Sequence, residues 1–538
     1  MIKLGKEMVG YCGRLPLAIT VLGGLLAAKQ THKEWEDVLR DVKSHKEDFR
    51  ASEVLALSYN DLPSHLKPCF LYLAHFPEDF EIPTWELISM WLGEGFISQN
   101  QHVGDSEDTM EKEGERYLRE LVQRYMVQVG NIGSFGRIKT CRMHDLMRDF
   151  CISKAQAENF LQITSMEGNG GHIGKLRRLA INSKSGDNSL KVIKFNEYPY
   201  LRSLLYFLPY WDHYRCFNES SENALYFKES CFNVITLLRV LNMENFGFYR
   251  GKLPKDIRYL IHLRFLSLRK SNITCVPSSM GNLRCLETLD LRSSVRCVEV
   301  PNVFKKMEQL RHLYLPIQYR VRKKLELANL SYLQTLVNIE PKTIQIPMSF
   351  LFNRLRLRVW TFDTQPRHAI QKLVSSYPHI YNLYLFAEIR KLPEAHQLPQ
   401  NLAKLTLRRC YLEEDPMSTL EKLPNLKILR ICVDAFVGKS IVCCGRGFPL
   451  LQSLILEYLD VEDLRVEEGA MPSLCHLKID LCRSLEMIPD GLSFITALQE
   501  LEIRNMPKSF KDRLDRGGPD FYKVQHVPSR VFENCDGE

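Results

Sequence analysis

A histidine and an aspartate stand side by side in "MHDLMRDF", residues 143–150. Such a pair can ligate a metal ion or relay a proton, and phosphohydrolases of the His-Asp type are built on it. That chemistry needs another His and another Asp delivered from other helices. The first 160 residues offer His32, His45, His65, His75 and His102, none of them in a second motif that would place it. The bland reading is a capped helix start: Asp145 would accept hydrogen bonds from free N–H groups and favour the positive end of the helix dipole. A second candidate is "GHIGKL" (171–176), which has the glycine and lysine of a phosphate-binding loop. Asn169 stands where the first glycine belongs and Leu176 where a magnesium-binding hydroxyl belongs, so the stretch is a decoy and no other fits the pattern.

Composition narrows the classes further. At 538 residues the chain is too long for one compact core unless it is a repeat array. A net charge of +8 on this length reads as a solvated surface and not as a nucleic-acid footprint. The longest apolar run, "LPLAITVLGGLLAA" (15–28), is too short for a membrane span and does not follow a signal-like N-terminus. The 16 cysteines are scattered without a C-x-x-C pair, the pattern of reduced, mostly buried thiols in a cytosolic protein.

The elements that must position these residues fall into two regimes. Up to about residue 160, apolar residues recur at three- and four-residue spacing, as in "EVLALSYNDL" (53–62), "HLKPCFLYLAHF" (65–76) and "WELISMWLGEGFI" (85–97), with Pro63, Pro77 and Pro83 as breakers. "YMVQVG" (125–130) and "RIKTCRMHD" (137–145) bracket a glycine-rich turn and predict a β-hairpin. Helices closed by a hairpin, with one more helix behind, make a winged-helix unit. Its best-placed recognition helix, "WELISMWLGEGF", is acidic, holds two tryptophans and has no Lys or Arg. A groove-reading helix carries basic and amide side chains, so this one is expected to pack on protein, and no DNA partner is expected.

From about residue 176 the unit L-x-x-L-x-L takes over. It reads "LRVLNM" at 238, "LRFLSL" at 263, "LETLDL" at 286, "LRHLYL" at 310, and returns from "LAKLTL" at 402 to "LQELEI" at 498. The steps of about 23–25 residues are those of leucine-rich repeats. Copies at 333, 352 and 380 are weaker, those at 176 and 201 irregular, and 209–234 reads as an inserted loop. The fold class expected is therefore an α+β N-terminal part followed by an α/β leucine-rich-repeat solenoid. Boundaries are placed at 46–160 for the winged helix, 161–525 for the solenoid and 526–538 for a tail.

Alternation along the short strands assigns faces. Leu289 and Leu291 point inward; Thr288, Asp290 and Arg292 point onto the concave sheet. Asp290→Ala is thus expected to cost little. Phe265, Arg269, Arg292, His312 and Tyr314 fall on successive concave strands, and their aromatic and arginine content suits a partner-binding hot spot. The equal alternative is that this face docks on the chain's own winged helix.

Three motifs in order, "CGRLPLAITVLGGLLA" (12–27), "CFLYLAHFPEDFEI" (69–82) and "MHDLMRD" (143–149), followed by the repeats, resemble the plant intracellular nucleotide-binding, leucine-rich-repeat (NB-ARC LRR) disease-resistance receptors of the coiled-coil class. The resemblance implies that residues 1–45 are the C-terminal part of the helical subdomain of the nucleotide-binding module. It implies that Pro16 packs near the adenine of ADP or ATP, and that His144 contacts the β-phosphate of ADP and latches the resting state. It implies a regulator rather than an enzyme, cytoplasmic or peripheral to the plasma membrane. Its repeats would recognise a pathogen effector or a guarded host protein, or other receptor chains. The sequence begins just upstream of the first motif, without phosphate loop or coiled coil, so weak or absent nucleotide binding is expected. Arg14 stands where the family has a second glycine. The runner-up is a leucine-rich-repeat scaffold with a vestigial winged-helix dock; the His-Asp phosphohydrolase is the third reading.

Overall fold

The computed structural model describes residues 1–13, 15–44, 51–97, 110–133, 136–165, 176–182, 195–208, 232–345, 355–361 and 367–535. They form two compact units, Met1–Leu289 with Ser293–Val295, and Asp290–Arg292 with Arg296–Glu538. The decoy phosphate loop and most of the expected inserted loop lie outside the described residues, as does Arg14.

In the first unit, α1 (Ile2–Tyr11), α2 (Pro16–Ala27), α3 (His32–Ser44) and α4 (Ala51–Asn60) gather around Met8, Leu22, Leu25, Val38, Val42 and Val54. Pro16 opens α2 because the first helical position needs no N–H. Gly13, just before it, takes φ +58°.

The winged helix follows. Its elements are α5 (Leu66–Tyr72), β1 (Ile82–Pro83), α6 (Thr84–Glu94), α7 (Met110–Gln123), β2 (Gln128–Val129), β3 (Thr140–Arg142) and α8 (Asp145–Ala157). The expected hairpin is β2–β3, and β1 joins its other edge antiparallel. Phe70, Trp91, Leu118, Met147 and Cys151 fill the core.

The repeats of this unit are parallel strands: β4 (Gln162–Ser165), β5 (Arg178–Asn182), β6 (Ser203–Phe207), β7 (Val240–Asn242), β8 (Phe265–Ser267) and β9 (Thr288–Asp290). Leu179, Leu204, Leu241 and Leu266 stand in register and are buried. After Pro254 and Pro277 the chain turns back in short 3-10 helices on the other side, Lys255–Tyr259 and Ser278–Asn282. One repeat cannot bury its leucines alone, so copies stack.

The second unit carries the same pattern in parallel strands from His312–Tyr314 through Thr335–Ile339 and Leu355–Trp360 to Glu500–Arg504. Two expectations change here. Residues 526–538 are not merely a tail: Ser529–Glu533 pairs parallel with Glu500–Arg504, and Val527 and Cys535 are buried. Asp290 does face the concave side, yet it is 0% exposed. The Arg292 guanidinium covers it, donating from Nε to both carboxylate oxygens at 2.9 and 3.1 Å. Alternation gives the direction of a side chain, and the neighbour two residues on decides its exposure.

Candidate regulatory site

Helix α6 is buried on nearly every side: of its residues only Trp85 is partly exposed. One face packs in the winged helix. The other meets the concave strands of the first repeats. A Cβ built on Gly93 would lie 3.0 Å from Val240 Cγ2 and 3.4 Å from Phe265 Cβ, so any side chain here would push helix and sheet apart by a few tenths of an ångström or more. The expected packing role of this helix is what the structure shows.

The two glutamates of α6 carry the polar part of the contact. Glu94, with its side chain 0% exposed, receives Arg178 Nε at 3.0 Å on one oxygen and Arg178 Nη2 at 2.9 Å on the other. The Ser203 hydroxyl donates to the same carboxylate, and Tyr72 Oη lies 3.2 Å from that hydroxyl. Burial, and then the Glu94 charge, push the Tyr72 phenol up and keep it protonated. Arg178 is sandwiched by Phe160 and Phe96, at 4.1 and 5.1 Å to the ring centroids. Arg239 donates to the Glu94 carbonyl at 3.1 Å, a cation on the negative end of α6. At the other end, Glu86 accepts from Asn242 Nδ2 at 3.1 Å and lies 3.9 Å from Arg269 Nη1.

This geometry relocates part of the expected partner face. Phe265 is 0% exposed and belongs to the winged-helix core, and Arg269 is held by Glu244 at 2.9 Å and faces Glu86. In this state Phe265 is closed off by the chain's own α6, while Arg269 is paired but keeps its side chain 23% exposed. Arg292 is neutralised by Asp290 and lies 4.7 Å over the Tyr314 ring, Tyr314 is 7% exposed, and His312 Nδ1 sits 3.1 Å from Thr335 Oγ1.

His144 and Pro16 both stand at helix starts. His144, not Asp145, is the N-cap of α8: its Nδ1 accepts the Leu146 N–H at 3.3 Å. Asp145 is exposed in the first turn. With Nδ1 as acceptor, the neutral ring carries its proton on Nε2. Pro16 is exposed at the start of α2.

Reading the sequence missed Glu94, Arg178, Ser203 and Arg239. A signal was present: an acidic apolar helix beside repeats that open on Arg177, Arg178, Arg202, Arg239 and Arg264.

The family model described as "Disease resistance protein Winged helix domain" matches residues 76–151, and "Leucine-rich repeat region" matches 215–365. The chain is 39% identical to "Disease resistance RPP8-like protein 3" of Arabidopsis thaliana over 100% of its length and 62% of that protein. It is 38% identical to "Disease resistance protein RPP8" of the same plant, over 100% of this chain and 62% of that one. Fold and family models together define a disease-resistance winged helix followed by leucine-rich repeats. The chain belongs to the plant disease-resistance protein family, and it spans 62% of the length of these curated relatives.

Proposed function

We propose that this chain is the regulatory and recognition part of a plant immune receptor. The observation that carries the reading is the buried Glu94–Arg178–Ser203 contact between α6 and the first repeats. A paired buried charge is tolerated, but a single one left unpaired is costly. The contact therefore favours one closed arrangement and resists partial opening. In this reading the winged helix restrains the first repeats, and the remaining repeats are free to recognise a pathogen effector or a guarded host protein. The disease-resistance names of relatives and the capping role of His144 support a regulator. Among the described residues no helix is long and apolar enough to cross a membrane; we place the protein in the cytoplasm, where its thiols stay reduced.

His144 fits a role at a nucleotide diphosphate. Its Nε2–H is not used by the cap, and free N–H groups of the α8 start lie beside it. Pro16, exposed at its helix start, offers an apolar surface for a base. When bound, the nucleotide would supply the charge that distinguishes resting from active states.

Expression in leaf tissue tests the clamp. Glu94→Arg is expected to trigger cell death without pathogen, and adding Arg178→Glu to restore the quiet state. A quiet Glu94→Arg protein of normal abundance would overturn the reading.

A further inference from the structure

Farther along the repeats, four neighbouring strands carry a second feature: Leu355–Trp360, Ile380–Phe386, Lys404–Arg408 and Ile428–Cys432. These segments contain Arg356, Arg358, Lys404, Arg408 and Arg430 and not one Asp or Glu. The next strands, from Ser453–Glu457 to Ser529–Glu533, bring acids, and most are paired: Glu457 takes Arg430 at 3.4 Å across the boundary, while Glu500 has no cationic partner among the described residues. Asp480 pairs with Lys478 at 3.0 Å, Glu502 with Arg504 at 3.1 Å, and Glu533 with Arg504 at 2.8 Å. Arg356, Arg358 and Arg408 have no carboxylate partner among the described residues. Positive charge on the four strands is in excess.

The excess is also held rigidly. The Trp360 and Phe386 rings stack at 3.8 Å, 3° from parallel. The Arg358 guanidinium lies 4.3 Å over Tyr384 and 5.1 Å over Trp360. Its Nε is buried without a hydrogen-bond acceptor. Burial lowers its proton affinity, the Tyr384 hydroxyl beside it works the other way, and the charges of Arg292 and Arg356 lower it again. Cations crowded in this way gain from an incoming anion. A guanidinium fixed on aromatic faces presents its donors at little entropic cost, as the arginine–aromatic centres of protein interfaces do.

We propose that this face docks an acidic, aromatic-bearing segment of a protein ligand, its carboxylates on Arg356, Arg358 and Arg408. The proposal rests on the reading of the repeats as the recognition module and adds the chemistry of what they recognise. A protein segment is favoured over nucleic acid by charge layout. The cationic band is four strands wide, roughly 15 Å at the usual strand spacing. The adjoining strands reverse the balance, with Glu457, Asp480, Glu500, Glu502 and Glu533 against Lys478, Arg504 and Arg530, and a continuing phosphate backbone would be repelled there.

The test uses the full chain and a fluorescent peptide of alternating glutamate and tyrosine, with a lysine–tyrosine peptide and a single-stranded oligonucleotide of equal length beside it. The acidic peptide is expected to bind in a salt-sensitive way. Affinity should fall at least roughly tenfold in the double variant Arg356→Glu, Arg408→Glu, whose two positions are exposed and leave the core intact. Glu500→Lys on the acidic half should weaken it far less. Undetectable binding of the acidic peptide, equal binding of the lysine peptide, or unchanged affinity in the double variant overturns the proposal. So does oligonucleotide binding as tight as that of the acidic peptide, which would assign the face to nucleic acid. Glu94→Arg leaves these arginines untouched, so a failed docking result and a failed clamp result are read separately.

Discussion

His144 gains its place from a cap. Removing the imidazole takes away an N-cap acceptor, so His144→Ala should cost the α8 region about 0.5–2 kcal/mol in a melting experiment. The same substitution bears on nucleotide. One imidazole and one apolar contact supply about 2–3 kcal/mol, while millimolar affinity needs about 4 kcal/mol. Calorimetry of the chain with ADP is therefore expected to show millimolar or weaker binding. A micromolar constant lost in His144→Ala would mean a more complete pocket. His75 is a different case. It is fully buried, its Nδ1 lies 2.6 Å from the Tyr72 carbonyl, and burial holds its pKa down to about 3. Unfolded, it takes up a proton below about pH 6.5. The neutral folded form thus stabilises the winged helix above that pH, and the contribution is lost as pH falls toward 3. His75→Leu should flatten this part of the stability–pH curve; an unchanged slope between pH 6.5 and 4 would show that other groups set it. At Asp290, the expectation of a negligible cost gives way to about 1–3 kcal/mol for Asp290→Ala, because the Arg292 guanidinium loses its acceptor. Arg292→Ala should cost no more than that, since it uncovers the carboxylate to water and leaves the backbone N–H of residue 292 on it at 3.1 Å.

Among the elements, α6 shows how a helix is selected for two surfaces at once. Its apolar residues fill the winged-helix core, and its two glutamates find cations only after the repeats have folded against it. Glu94→Gln leaves Arg178 buried without a full counter-charge. It should destabilise the first unit by about 3–5 kcal/mol, read from hydrogen exchange of α6 amides. Gly93→Leu should open the same contact through sterics alone, because Val240 and Phe265 leave too little room for a side chain of that size. If Gly93→Leu left α6 exchange unchanged, close approach would not be what holds the helix. In the repeats, Leu289 is 0% exposed, and Leu289→Ala should cost about 2–5 kcal/mol, the range for a buried leucine. That exceeds the figure for Asp290→Ala only if the assigned inward face is right.

At the scale of the molecule, stability is shared between stacked neighbours, so the outermost strands matter more than their polar sequence suggests. Ending the chain at His526 would remove Ser529–Glu533 and uncover the edge of Glu500–Arg504. A lower melting temperature and light scattering from edge-exposed aggregates are the expected outcome. The sequence by itself determined the fold class, since leucines at a fixed period can be buried in one way only, by stacking, and helical spacing followed by a hairpin admits few arrangements. It determined the winged helix and the packing role of α6, because an acidic, tryptophan-bearing helix has no groove to read. Which arginine meets which glutamate was left to the tertiary structure. Glu94 and Arg178 are 84 residues apart, and no local pattern records a pairing made by two elements folding together. The tertiary structure also decided that Phe265 is covered, that Arg269 is engaged by Glu244 and that Asp290 is buried. Strand alternation fixes only the direction of a side chain, whereas exposure depends on what the rest of the chain brings to that face.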